Sequence, residues 1–416
     1  MRKSPYRYRV IRAFLVLTLT LLLPLFLLTP ATASEFKSEI NESQTGENPY
    51  IVNLSAETPQ IAILLPLSGP FAILGQSLRK GFELGFAQPP LNSNQTIHQY
   101  KIQFLDSKGE PDTARTLIAL LNSEGETVIA AGTPLNTTAW NASKACEEIG
   151  LPYLIVGADQ DNLIGNQSVF SFRLTQTHSA YIKLLSTFID SQTPEIQSMG
   201  IIYGESYCAT RQARRLRKFC ADKNIDLAIW KTYRSNERNF YDLLNLIKER
   251  KPQLLFLATS PAASNKLCQQ GQRLEFLPSL TIATPVNCLP VKSEIEPIKH
   301  ASKPVLYATL WLKPANRKNL PQIKDYLQAQ GFAAAELIRK TLEQSSNLTS
   351  GEIVKTLENT SMNTVYGPVN FSGPGPGHQN PLSWHLCSYN EDGSNQLVFP
   401  LLPSSETGDK IEKRGK

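Results

Sequence analysis

The chain has 416 residues, with 42 lysines and arginines against 36 aspartates and glutamates, a formal net charge of +6. Five of those cations, Arg2, Lys3, Arg7, Arg9 and Arg12, precede a hydrophobic stretch from Ala13 to Leu28 and then Ala31-Thr32-Ala33, the pattern of a secretory signal peptide over residues 1–33. Taking five cations from +6 leaves about +1 for the mature chain, so the charge implies no nucleic-acid partner.

An uncleaved membrane anchor is the alternative reading of the leader, but its apolar stretch is broken by Thr18, Thr20 and Pro24 and falls short of the roughly 20 residues that span a bilayer. No cysteine follows it directly, so a lipid anchor is not expected. The product is expected to be exported to the periplasm or beyond, soluble after cleavage. Residues 34–58 are polar and aperiodic and read as a flexible linker.

The fold is expected to start near Pro59. Ile61 to Leu65 form a continuous apolar run, as in a strand covered on both faces of a parallel sheet. Ser68-Gly69-Pro70 make a sharp turn, after which Leu74, Leu78, Phe82 and Phe86 recur every four residues on a helix. Gly81 and Gly85 would let that helix lie close to the sheet, and the amides at its start, with Ser68, would form an anion or carboxylate site.

Strands are then predicted near 100–105, 127–131 and 152–156, with helices near 112–123 and 136–149 between them. After VFSFRL at 169–174 the rhythm repeats: a helix near 178–190, strands near 198–203, 226–230 and 253–258, and helices near 207–221 and 238–250. This predicts an α/β protein of two lobes. On the helix near 207–221, Arg211, Arg214, Arg215, Arg217 and Lys218 read as a solvated face. A less regular third section holds a strand at 305–312, a helix at 332–344, a strand or hairpin at 364–371, a Gly-Pro turn at 372–377 and a hairpin from 382–389 and 396–400. The lobes are expected to comprise 59–175 with 303–345, and 176–302 with 346–402, before a polar tail at 403–416.

All six cysteines, Cys146, Cys208, Cys220, Cys268, Cys288 and Cys387, lie beyond the leader, where disulfides are permitted. Six cysteines allow 15 connectivities and the sequence does not choose among them; Cys208 and Cys220 fall about three turns apart on one helix and should not pair, and Cys268 with Cys288 is the pairing to test first. None has the close spacing of a zinc or dithiol site. The histidines His98, His178, His300, His378 and His385 are scattered, and neither a Gly-x-Ser-x-Gly elbow nor a phosphate-binding Gly-Lys-Ser/Thr loop occurs. No enzyme activity, metal or cofactor is expected.

Taken in order, ILLPLSGPFAILGQSLRKGFELGF, IAAGTPLNTTAW, LPYLIVGAD, VFSFRLT, MGIIYGESYC and TVYGPVNFSGPG resemble the type I periplasmic binding proteins of the leucine/isoleucine/valine-binding group, over about residues 59–400. The resemblance implies two Rossmann-like lobes joined by three hinge crossings, closing as a monomer on a small amino-acid-like ligand and presenting it to an ABC permease in the membrane. It implies binding roles for Ser68, for Leu74 as an aliphatic lid where relatives carry an aromatic, and for Asn136 and Thr137 toward a ligand carboxylate. Ala158 and Asp159 would face the ligand amino group, and Tyr207 would contact ligand from the second lobe. Asn136 and Thr137 read equally as helix caps, Asp159 as a turn residue and Tyr207 as a structural tyrosine.

Residues 281–291 depart from the pattern, since relatives place an acid there and TIATPVNCLPV has none. Either Asp159 supplies the charge or the ligand is not a simple α-amino acid. The opening also resembles the same fold in activators of penicillin-binding proteins, a protein-interaction role, although the lipid-bearing cysteine and helical repeats of those activators are missing here.

Overall fold

The structure, a computed structural model, describes residues 58–89, 100–165, 167–205, 207–234, 236–285, 305–312, 323–372, 378–389 and 395–400. The leader at 1–33, most of the linker, the tail at 403–416 and Cys288 lie outside these residues. Among the described residues, no helix is long and apolar enough to cross a membrane.

The first sheet is wholly parallel. Its strands are β1 (Gln60–Leu65), β2 (Lys101–Asp106), β3 (Thr127–Gly132), β4 (Tyr153–Ile155) and β5 (Ser171–Arg173), in the order β2-β1-β3-β4-β5. The apolar run of β1 is explained by its neighbours, since every residue of the strand is buried. Ile61, Ile63 and Leu65 enter one core with Leu78, Phe82 and Phe332, while Ala62 and Leu64 enter another with Ile118, Ala142 and Cys146. Parallel strands covered on both faces need apolar side chains in both directions.

The second sheet repeats the order. Its strands are β6 (Ser198–Gly204), β7 (Asp226–Tyr233), β8 (Leu254–Thr259), β9 (Leu280–Pro285) and β10 (Val305–Thr309), running β7-β6-β8-β9-β10, all parallel. The antiparallel strands β13 (His385–Tyr389) and β14 (Asn395–Phe399) extend it beyond β10. A separate hairpin pairs β11 (Ser361–Asn363) with β12 (Pro368–Asn370).

The helices are α1 (Ala72–Phe86), α2 (Pro111–Glu124), α3 (Asn136–Ile149), α4 (His178–Asp190), α5 (Tyr207–Asp222), α6 (Tyr241–Arg250), α7 (Pro261–Arg273), α8 (Tyr326–Gln344) and α9 (Ser350–Glu358). Strand β10, expected with residues 303–345 in the first lobe, pairs with β9 of the second sheet, whereas α8 packs against α1. The periodicity of a short apolar strand does not say which sheet edge it will complete.

Gly81 and Gly85 serve a different neighbour from the one expected. A Cβ on Gly81 would stand 2.3 Å from the Gln328 carbonyl oxygen, and one on Gly85 2.7 Å from the Phe332 oxygen. From the other side, a Cβ on Gly331 would meet the Leu78 oxygen at 2.3 Å. The glycines let α1 and α8 touch backbone to backbone, and α8 is buried nearly all round as a result.

Cys146, Cys220, Cys268 and Cys387 are free and buried, and the Cys268–Cys288 pairing falls on Cys288, outside the described residues. Cys220 lies 3.4 Å from the Met199 sulfur.

Gly81→Ala forces the two helices apart and is expected to cost about 2–3 kcal/mol by overpacking. Gly351→Ala, on α9 with no atom near its Cβ position, should leave stability level or raised by up to about 1 kcal/mol. Urea unfolding midpoints of the two variants check both.

Candidate functional site

In an open parallel sheet, ligands gather beyond the carboxyl ends of strands that flank a reversal of order. Here the reversal lies between β1 and β3, whose loops carry Ser68 and Asn136, and the loop after the adjoining β4 carries Asp159.

The turn after β1 does not offer its amides to a ligand. Asp106, the last residue of β2, takes them with one carboxylate oxygen: Leu67 N–H donates at 2.8 Å, Ser68 N–H at 3.2 Å and Lys108 N–H at 2.8 Å. Ser68 itself is exposed. Burial pushes the Asp106 carboxyl up, but the Ser68 hydroxyl and these backbone donors outweigh it and hold the group below the usual carboxylate range. Two amides ahead of this helix start are therefore held from within the chain, while no side chain caps the helix itself. Leu74 is half-buried on α1, and its neighbour Ile73 is 70 % exposed, a large apolar side chain at the head of the same helix.

The start of α3, like that of α1, has no side-chain cap. Leu135 precedes it, so amides of its first turn are left open at this edge. Asn136 does not cap its own helix. Its side-chain oxygen accepts from Asp159 N–H at 2.9 Å and Gln160 N–H at 3.0 Å, while its Nδ2 donates to Asp159 Oδ1 at 2.9 Å. Thr137 is exposed beside it, and the Thr138 hydroxyl is committed to the Gly109 carbonyl. Asn136 thus splices the β3 loop to the β4 loop. Ala158 is buried at 1 % exposure, whereas Asp159 remains partly exposed. Asp159 also lies 3.9 Å from His178 Nδ1 at the head of α4. Burial, aided by the Arg215 and Arg211 charges, lowers the His178 pKa against the pull of Asp159 and Asp161.

Tyr207 opens α5, but its side chain lies outside the described residues, as do residues 286–291 of the acid-poor segment. Two of the five cations on α5 are not a solvated face. Arg215 donates to Asp161 Oδ2 at 2.5 Å and Arg211 reaches the same oxygen at 3.5 Å.

Arg173, unremarked in the sequence, lies behind these loops at 1 % exposure. Its Nη1 donates to the Gln160 carbonyl and its Nε to Gln379 Oε1, each at 2.5 Å. Burial lowers its pKa to about 10, while Asp159 and Asp161 support its charge, so it stays a cation at neutral pH. A lone arginine in the apolar run VFSFRL was the available signal, since such a strand buries a charge only where partners wait.

Among the described residues, those in the passages between elements of the two sheet systems are 174–177, 310–312 with 323–325, and 371–372 with 378–384. The first and third passages are bonded together. Arg173 N–H donates to the His378 carbonyl at 2.8 Å and Asn380 N–H to the Arg173 carbonyl at 3.0 Å. Asn380 Nδ2 donates to the Leu174 carbonyl, Gln379 Nε2 to the Thr175 carbonyl and Gln176 Nε2 to the Leu382 carbonyl. The second passage is tied by Trp311 Nε1, which donates to the Val365 carbonyl at 3.0 Å.

Burial raises the Cys268 and Cys387 thiols to about 12, so neither is poised as a nucleophile. Among the described residues, no group of three or more His, Cys, Asp or Glu side chains could hold a metal ion.

Residues 58–394 match the family model described as periplasmic binding protein, and the chain belongs to that family. A Leu/Ile/Val-binding protein homolog from Brucella abortus is 24% identical over 227 residues, covering 52% of this chain and 55% of the relative, and a second homolog from Brucella suis is 21% identical over 231 residues. The match thus spans about half the length of those relatives. Among solved structures, the branched-chain amino acid binding protein LivJ of Streptococcus pneumoniae, in complex with isoleucine, aligns with a TM-score of 0.66 at 16% identity, covering 82% of this chain and all of that one. A solute-binding protein from R. palustris, in complex with benzoate, aligns at 0.65 and 15% identity over 85% of this chain and 99% of that one.

Since the folded carboxyl of Asp106 sits below its unfolded value, the stability it adds is present above about pH 4 and is lost as pH falls through the folded pKa. The stability difference between wild type and Asp106→Asn should therefore be full at neutral pH and shrink below about pH 4, measured by urea unfolding across that range.

Proposed function

We propose that this protein is the extracytoplasmic solute-binding subunit of an ABC importer. It captures a small carboxylate-bearing solute, an amino acid or a related compound, between its lobes by hinge closure. The observation that carries this reading is the pairing of an uncapped α3 with the Asn136–Asp159 splice beside it. Open amides at a helix start, with the macrodipole behind them, suit a carboxylate. Thr137 stands at that start, and Leu74 and Ile73 supply aliphatic surface on the facing α1.

This chemistry is common to the ligands of the aligned proteins, isoleucine in one and benzoate in the other. Asp159 decides between the two kinds of solute. If the ligand bears an ammonium, Asp159 is the acid in this loop set that meets it with a charge-assisted bond. Asn136 Nδ2 donates to Asp159 Oδ1 and holds the carboxylate in place, leaving its second oxygen for such a bond. No feature of the structure favours the reading as a cell-wall synthase activator.

Titration calorimetry over amino acids, aliphatic acids and aromatic carboxylates tests the proposal, and a folded protein silent to all of them would refute it. With an amino acid as ligand, Asp159→Asn should weaken binding about tenfold or more. With a simple carboxylate it should leave affinity within about twofold, the two ligand classes being separated by that single variant.

A further inference from the structure

Asp161 lies in the loop between β4 and β5 of the first sheet, yet its partners all stand beyond the first passage. Arg215 of α5 donates to its Oδ2 at 2.5 Å, Arg211 of the same helix approaches that oxygen at 3.5 Å, and Ser179 N–H of α4 donates to its Oδ1 at 2.9 Å. The Asp161 and Arg215 side chains are 27% and 28% exposed. Water therefore screens the pair less than it would at an open surface. Burial raises the Asp161 carboxyl, but the Arg215 bond and the Ser179 donors outweigh it, so the group is an anion at neutral pH.

The contact is also incomplete. Arg215 Nη1 is buried without a hydrogen-bond partner, a cost that hydration would relieve if the lobes parted. A pair that attracts across the junction while leaving one donor unsatisfied can hold the lobes and still release them.

We propose that Asp161 and Arg215 form an ionic clasp between the lobes, which keeps the ligand-free cleft mostly closed at low ionic strength. The inference rests on the two-lobe capture reading above. It makes both residues positioning residues, acting on the closing equilibrium and not on the solute. Ligand strength then depends on salt through the protein itself, because a preformed closed state removes part of the cost of closure.

Small-angle scattering of the ligand-free protein tests this at about 0.01 M and about 1 M salt, where the screening length falls from about 30 Å to about 3 Å. The wild type should be compact at low salt and expand at high salt. Asp161→Asn keeps an acceptor for Ser179 N–H and removes the charge, so it should be expanded at both, with the closed-to-open ratio down about fivefold. Arg215→Met should do the same, and supplies the readout if the first variant does not fold by circular dichroism. The reversed pair, D161R with R215E, should restore both compactness and salt response.

A wild-type profile indifferent to salt, or single variants indistinguishable from wild type, overturns the clasp even when a solute binds. An empty solute panel refutes the capture reading separately, and leaves the salt-dependent scattering of the clasp in place.

Discussion

Burying a guanidinium is the constraint around which this protein is arranged. Arg173 ends β5 at 1 % exposure, and a charge so placed is tolerated only with partners on every side. Its side chain holds the Gln160 carbonyl, its backbone holds His378 and Asn380, and Asp159 and Asp161 face it as counter-charges. The carboxylates at the mouth of the first lobe are therefore set by a cation at the root of the passages. Changing that cation would disturb the mouth and the passages together.

The two sheets share a strand order because each solves the same problem of closing a parallel array under helices. Much of this was legible in the chain. The apolar run of β1 and the four-residue rhythm of α1 survive because they report burial on two faces and on one, which is what the structure supplies. Helix α7 was not anticipated, since PAASNKLCQQGQR shows little apolar periodicity. Its start was written all the same, in Ser260, which caps Ala263 N–H, followed by Pro261 at the first helical position.

The site was legible in part. The family resemblance pointed to the loops around Asn136 and Asp159, and the structure brings those two residues, 23 positions apart, into mutual hydrogen bonds. What spacing could not show is which polar groups are already spoken for. Asp106 meets the β1 turn across 39 positions, and no local pattern announces that a carboxylate will occupy amides there. Similarly, Arg211 and Arg215 look like any solvated helix stripe until the β4 loop is laid against them. Long-range pairing, and not residue type, separates an open anion site from an internal turn.

The amide side chains of Gln176, Gln379 and Asn380 grip carbonyls of the neighbouring passage. Twisting either strand alone would shear several of these grips at once. The two passages consequently form a laminated strip, supple about the axis along its width and stiff in torsion. Such a strip confines any rotation of the molecule's halves to a single swing direction.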